Sequence, residues 1–270
     1  MINQSDWGKI GNFNENSVFR NIQNKEIIIV TINDNKIYHE NINKEVENKI
    51  EIKAKQAIFL SRHRSKSAKP TLTTHAIGNF SEAKFGGLPE TLSVSSPQMM
   101  TSLLRLIKKN ADSEKMYHSV GFEVTHHGPY MDIPSIFAEV GSDIEEWNKI
   151  KPSKVIAKSL LELLKNFQYE EDINGKNPVI VGIGGGHYAP RFTEVALKKK
   201  VAFGHMIPKY QIKKGEIEFK MIDMAIQNTP NCIGVYLDRK SFKKSEVTKF
   251  NKYFEKNDIK SFSSKEFIDL

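Results

Sequence analysis

Cysteine is almost absent: Cys232 is the only one in 270 residues. That excludes an intrachain disulfide and any cysteine-rich zinc site, so a metal would have to be held by histidine, carboxylate and water. Long apolar runs are missing as well. No stretch approaches the ~20 residues that span a bilayer, and the opening Met1-Ile2-Asn3-Gln4-Ser5-Asp6 lacks the basic-then-apolar layout of a signal peptide. A cytoplasmic protein with no membrane attachment is expected. Internal repeats, low-complexity tracts and Pro/Gly/Ser-rich linkers are lacking too, so nothing compels a domain boundary, and residues 1–270 read as a single α/β domain. The stretch from Asn33 to Lys55, rich in Asn, Lys and Glu, reads as a loop-rich insertion between two strands.

What is present describes an ordinary globular chain with a basic surface. Lys and Arg outnumber Asp and Glu, giving a formal charge of +8 that favours polyanionic partners through long-range attraction and counterion release. The alternative for the same charge is solubility alone. Short apolar runs rich in β-branched residues, Glu26 to Thr31, Gln56 to Leu60, Phe122 to Thr125, Val179 to Ile183 and Ile233 to Leu237, predict strands. Between them, Met100, Leu103, Leu104 and Ile107 follow a Ser96-Pro97 start signal, and Leu160, Leu163, Leu164 and Phe167 follow Pro152-Ser153. Each group has the i, i+3, i+4, i+7 spacing of a buried helical stripe. Further helices are predicted over Arg191 to Lys199, Glu216 to Asn228 and Lys244 to Lys256. The alternation predicts a mainly parallel or mixed central sheet with helices on both faces.

The eight histidines carry the functional signal. Six of them, His63, His75, His126, His127, His187 and His205, fall in loops or at predicted strand ends, where α/β sheets bind ligands. In Glu123-Val124-Thr125-His126-His127-Gly128-Pro129 the two adjacent histidines would point to opposite faces of a regular strand, but Gly128-Pro129 ends that strand. They read either as paired metal ligands or as one ligand with a partner or base beside it. The run Val179 to Arg191, VIVGIGGGHYAPR, passes from a strand through Gly184, Gly185 and Gly186 toward a helix. Its backbone N–H groups can cradle an anion or a developing oxyanion, or simply allow tight strand-to-helix packing. Arg62, His63 and Arg64 put two guanidinium groups beside an imidazole, a grouping suited to phosphate or carboxylate.

Taken in order, Ser61-Arg62-His63-Arg64-Ser65, Pro70 to His75 with Gly78-Asn79, Gly86-Gly87-Leu88-Pro89, Glu123 to Pro129, Glu139-Val140-Gly141-Ser142 with Trp147, Gly182 to Gly185 with His187-Tyr188-Ala189-Pro190, and Gly204-His205 resemble the motif set of the archaeal and plant type of D-aminoacyl-tRNA deacylase. Tyr236 to Lys240 resembles the family's final strand and turn. The likeness covers roughly residues 55 to 260. It departs at the N-terminus, where the first 20 residues show no clear opening β-strand, and at Ala68, which stands where glycine is expected. The resemblance implies a fold related to peptidyl-tRNA hydrolase and nucleoside phosphorylase architectures, hydrolysis of D-aminoacyl-tRNA to free D-amino acid and tRNA, and a dependence on Zn2+.

The mechanism expected on these residues is attack of water on the ester carbonyl, with zinc held by His126, His127 and His187. Glu123 or Glu139 would be a further ligand or the base, so the catalytic group is His187, Glu123 and Glu139. Gly184, Gly185 and Gly186 would face the oxyanion, and Arg62, Arg64 and Arg191 the terminal phosphates or ribose. His63, His75, Tyr188 and His205 complete the expected substrate-binding set. The partner is D-aminoacyl-tRNA, with no obligate protein partner and a monomer expected. A metal-free version, in which a histidine activates water or the terminal ribose hydroxyl assists, is also chemically sufficient for an ester, and the competing readings of function are a zinc hydrolase of amides or peptides and an RNA-binding module with structural histidines.

Overall fold

The computed structural model describes residues 1–165, 167, 177–212 and 217–270. The chain opens with an antiparallel hairpin, β1 (Trp7–Phe13) and β2 (Asn16–Asn21), in the region where no opening strand was expected. Phe13 and Val18 are fully buried and seed a small core of their own. The predicted strand over Glu26 to Thr31 shrinks to β3 (Ile28–Ile29), which pairs antiparallel with β2 and stays out of the central sheet. The Asn33 to Lys55 stretch is not a solvated insertion either. Val46 of helix α1 (Ile42–Ile50) is buried in the hairpin's core.

A four-stranded mixed sheet follows, built from β4 (Ala57–Arg64), β5 (Thr71–Ala76), β8 (Ser119–Phe122) and β9 (Ser135–Ser142), with β6 (Gly78–Asn79) and β7 (Thr91–Leu92) forming a separate short pair. The order is β4-β9-β5-β8; β9 runs parallel to β4 and antiparallel to β5. Strands β5 and β9 went unpredicted because they are buried on both faces, which removes the alternation that marks a half-exposed strand. Ala68, between β4 and β5, has φ +50°, the left-handed conformation that glycine adopts without penalty, so this chain meets the turn's requirement with an alanine.

Helix α2 (Pro97–Ser113) starts at the predicted signal and carries its whole predicted stripe at zero exposure. Helices α3 (Ile144–Trp147) and α4 (Ile150–Leu164) lead toward a fully parallel sheet of order β11-β10-β12-β13, made of β10 (Val179–Ile183), β11 (Ala202–Ile207), β12 (Cys232–Leu237) and β13 (Ser261–Phe262). Between these strands lie α5 (Pro190–Lys198), α6 (Ile217–Gln227) and α7 (Lys244–Lys256). The predicted start of α6 at Glu216 lies outside the described residues. Helices α2 and α5 contribute to the core on one side of this sheet, and α6 and α7 to the core on the other. Among the described residues no helix is long and apolar enough to cross a membrane.

The two sheets meet along Glu123 to Thr125. Glu123 donates its N–H to Thr74 O (3.0 Å), Val124 to His187 O (2.9 Å) and Thr125 to Met206 O (3.0 Å). Phe203 of β11 fills the core at this seam, with its ring centroid 6.1 Å from Phe122, 5.4 Å from Phe192 and 6.2 Å from Tyr236. Deleting a buried ring of this kind leaves a cavity as well as losing transfer energy. Phe203→Ala should therefore lower unfolding stability in denaturant titrations by about 3–5 kcal/mol; a loss under about 1 kcal/mol would show that the seam is not held by this core.

Candidate active site

Strand register places the chemistry on one face of the mixed sheet. Ser61, Glu139, Thr73 and Gly121 form one row across β4, β9, β5 and β8. Residues two further along each chain point the same way, and these are His63, His75 and Glu123. The segment beyond β8 adds His126, and the glycine loop after β10 brings His187 and Tyr188 over the same face. His63 and His75 stand, as expected, at the ends of β4 and β5, and the expectation is corrected only for His205, which lies inside β11.

Glu123 is the centre of the group. Its side chain has zero exposure, and Oε2 stands 2.9 Å from His187 Nε2, 3.2 Å from His63 Nδ1 and 3.4 Å from His126 Nε2. None of these approaches has hydrogen-bonding alignment, so both carboxylate oxygens are buried without a hydrogen-bond partner. Glu139 lies behind, its Oε2 3.5 Å from His75 Nε2 and 3.7 Å from His63 Nδ1. Burial alone would raise both carboxyls, but the surrounding imidazoles hold them well below the ordinary carboxylate value. Glu139 is therefore ionised, and its carboxylate is buried against His63 and His75, which removes it as the base. Burial works against a charged His63 too, yet the two carboxylates outweigh it and raise this ring to about 10.

The remaining rings are pre-oriented by the backbone. His75 Nδ1 pairs with Ala76 O (3.0 Å), His126 Nδ1 with Val124 O (2.8 Å) and His127 Nδ1 with Gly128 O (2.7 Å). A backbone carbonyl at Nδ1 fixes the proton there and turns the Nε2 lone pair inward, the arrangement of metal-binding histidine. Burial, with the neighbouring His75, pushes His126 far below its usual value and His127 to about 4. The two adjacent rings come within 4.4 Å because His127 sits at φ +45°, leaving strand geometry. Gly128 then packs so closely that an added Cβ would stand 2.1 Å from Gly87 N.

Among the described residues three groups could hold a metal ion, with donor atoms mutually within 4.8 Å: His63, Glu123, His126 and His187; His75, His126 and His127; and His75, Glu123 and Glu139. The sequence-predicted ligands His126, His127 and His187 are therefore divided, with His126 common to two groups. His63 and His75, read as substrate-binding, stand among the possible ligands. A buried carboxylate without hydrogen bonds, facing imidazole nitrogens, fits a divalent cation of the zinc type.

Other predicted contacts fall elsewhere. Strand alternation turns Arg62 and Arg64 to the face opposite His63, where the Arg62 guanidinium lies 5.1 Å over the Trp147 ring. Arg191 donates to Tyr236 Oη (3.0 Å), Glu194 (2.8 Å) and Ser264 Oγ (3.3 Å). His205 has zero exposure and holds Ser93 O and Thr125 Oγ1, so it braces the seam instead of meeting substrate. Gly184 N is committed to Ile207 O (2.8 Å) and Gly185 N to Ser241 Oγ (2.8 Å), which removes both as oxyanion donors. Gly186 has open space around it. Tyr188 Oη contacts His63 Nε2 at 3.2 Å.

Sequence reasoning missed Glu40, whose carboxylate accepts from Gly87 N (2.8 Å) and from Tyr130 N. It fastens the segment before α1 to both loops beside His127. No periodic or motif signal surrounds it, so nothing local marked it.

The family model described as D-aminoacyl-tRNA deacylase matches residues 50–262. The D-aminoacyl-tRNA deacylase of Thermococcus kodakarensis is 37% identical over 233 residues, 86% of this chain and 80% of that protein. That of Pyrococcus abyssi is 39% identical over 199 residues, 73% and 69% of the two chains. That of Methanosarcina barkeri is 35% identical over 260 residues, 94% and 80%. Among solved structures, a crystal structure of a conserved protein of unknown function superposes with a TM-score of 0.83 at 28% identity, covering 99% of this chain and 91% of that one.

The electrostatics of the group give a stability profile with a definite sign. His63 is raised from 6.5 to about 10, so its contribution is full below pH 6.5 and lost as pH rises toward 10. Glu123 and Glu139 are held below 4.5, so theirs is present above that pH and lost beneath it. Thermal melts in chelator should peak between these limits. A divalent ion competes with the His63 proton, so micromolar zinc should raise the melting temperature more at pH 8 than at pH 5.5. No zinc effect at pH 8 would mean that these donors do not take the ion.

Proposed function

The chain belongs to the D-aminoacyl-tRNA deacylase family, and from that premise we propose that it hydrolyses the ester joining a D-amino acid to the 3′ end of tRNA. We place the reaction on the sheet face around Glu123, acting as a monomer with one α/β domain in a fold related to the phosphorylases and peptidyl-tRNA hydrolases. The observation that carries the site assignment is the fully buried Glu123 carboxylate, faced by three imidazole nitrogens within 3.4 Å and lacking any hydrogen bond.

The residues that would hold zinc are Glu123, His126 and His187 with His63. When bound there, the ion lowers the pKa of a water and polarises the ester carbonyl. The chain's own residues supply the rest. Val124 O fixes the His126 tautomer, so that ring presents a lone pair without rearrangement. His127 Nε2, outside that group, takes the proton of the attacking water. A ring lowered to about 4 is a strong acid once protonated, so it then delivers the proton to the departing ribose oxygen. The Tyr188 hydroxyl, held by His63 Nε2, donates to the carbonyl oxygen, and Gly186 leaves space for that oxygen beside the loop. Glu139 stays ionised and keeps His63 and His75 oriented.

Cleavage of D- and L-tyrosyl-tRNA under single-turnover conditions tests the proposal. The two esters carry identical groups and differ only in arrangement at Cα, so discrimination must come from steric rejection at one position. The D-ester should be cleaved at least about 100-fold faster. Equal rates would overturn the chiral assignment, and stable binding without release of amino acid would favour an RNA-binding role instead.

A further inference from the structure

The turn that follows β12 carries a charge that the chemistry above does not use. Residues 239–244 read Arg-Lys-Ser-Phe-Lys-Lys, and all four cations are exposed. Arg239, Lys240 and Lys244 have no ion-pair partner among the described residues. Two acids border them: Asp238, which accepts the Ser241 hydroxyl (2.6 Å) and offsets one of the four charges, and Glu246, which is taken by Lys209 Nζ (2.9 Å) and Lys243 N (2.8 Å). Elsewhere the surface lysines Lys44, Lys108, Lys109 and Lys198 each face a carboxylate. This turn thus carries a local excess of positive charge.

It is also fixed to the site. Asp238 N donates to Ile183 O (2.8 Å), Gly185 N donates to Ser241 Oγ (2.8 Å), and the Phe242 ring closes on Gly184. Gly185 is two residues before His187, so Arg239 and Lys240 are held at a set distance from the ring that faces Glu123. The arginines that sequence reading offered to phosphate are differently placed, Arg62 over Trp147 and Arg191 within its own bonds. A polyanionic substrate whose ester enters this site therefore meets unpaired cations on the 239–244 turn, which is bonded to the glycine loop.

We infer that Arg239, Lys240 and Lys244 form a phosphate-binding ridge for the RNA strand that leads to the scissile ester. The inference rests on the deacylase reading for the identity of that strand. Guanidinium and ammonium groups on a rigid turn contact successive phosphates without reading sequence, which suits an enzyme that accepts several tRNAs.

The test is binding of uncharged tRNA to the full-length protein over a salt series, for wild type, Arg239→Ala/Lys240→Ala and the charge-conserving Arg239→Lys/Lys240→Arg. The double alanine variant should bind about tenfold more weakly at low salt, with the slope of log K against log salt shallower by about 2. The charge-conserving variant should restore most of both. A control pair remote from the turn, Lys154→Ala/Lys158→Ala, should leave the slope nearly unchanged. An unchanged slope in the double alanine variant, or an equal loss in the control pair, overturns the ridge. Wild-type cleavage of D-tyrosyl-tRNA with an unchanged variant slope would overturn the ridge while leaving the deacylase reading intact; a slope change without any cleavage would do the reverse.

Discussion

A carboxylate with no solvent exposure and no hydrogen bond is among the least stable groups a fold can bury, and Glu123 is one. The fold tolerates it because β4, the seam beyond β8 and the glycine loop each bring an imidazole to its oxygen. Much of the local architecture follows from that constraint. Gly121 leaves the row beneath the loop without a side chain, His127 abandons strand geometry so that its ring joins His126, and the Val124 to His187 backbone bond sets the loop over the face. The cluster is a set of mutually dependent charges: His63 is protonated because the glutamates are ionised, and they are ionised because His63 and its neighbours surround them.

Much of this was legible in the sequence, though not its geometry. The helical stripe of α2, the strand β10 and the limits of α7 were readable because their periodicity or apolar run is strong. Strands β5 and β9 were hidden by burial on both faces, although they supply His75 and Glu139. The histidine motifs lie on segments that the fold brings together around Glu123, and the division of His126 and His127 between donor groups depends on a backbone φ that no spacing reports. The N-terminal hairpin was missed because Gly8, Gly11 and the asparagines at 12, 14 and 16 break any alternating pattern, while its stability comes from Phe13, Val18 and helix α1.

The segment from Asn33 to Lys55 shows how composition misleads. Its polar residues read as solvated, yet they make specific bonds: Asn43 Nδ2 to Asp132 (2.9 Å), Lys44 to Asp132 (2.7 Å), and Glu40 to the Gly87 and Tyr130 amides. These polar residues clamp irregular loops, whose backbone groups need partners that a sheet would otherwise provide. The loops so clamped are those that shape the approach to His127, so the insertion belongs to the site's framework.

The central claim is that Glu123 and the imidazoles around it form a cation site. Anomalous diffraction from crystals of the zinc-loaded protein, recorded on either side of the zinc absorption edge, addresses it without reference to activity. The account predicts an anomalous peak bonded to a Glu123 carboxylate oxygen and to His126 Nε2 and His187 Nε2 at about 2.0–2.2 Å. Zinc bound only away from Glu123, or no ordered zinc at all in fully active protein, would contradict it.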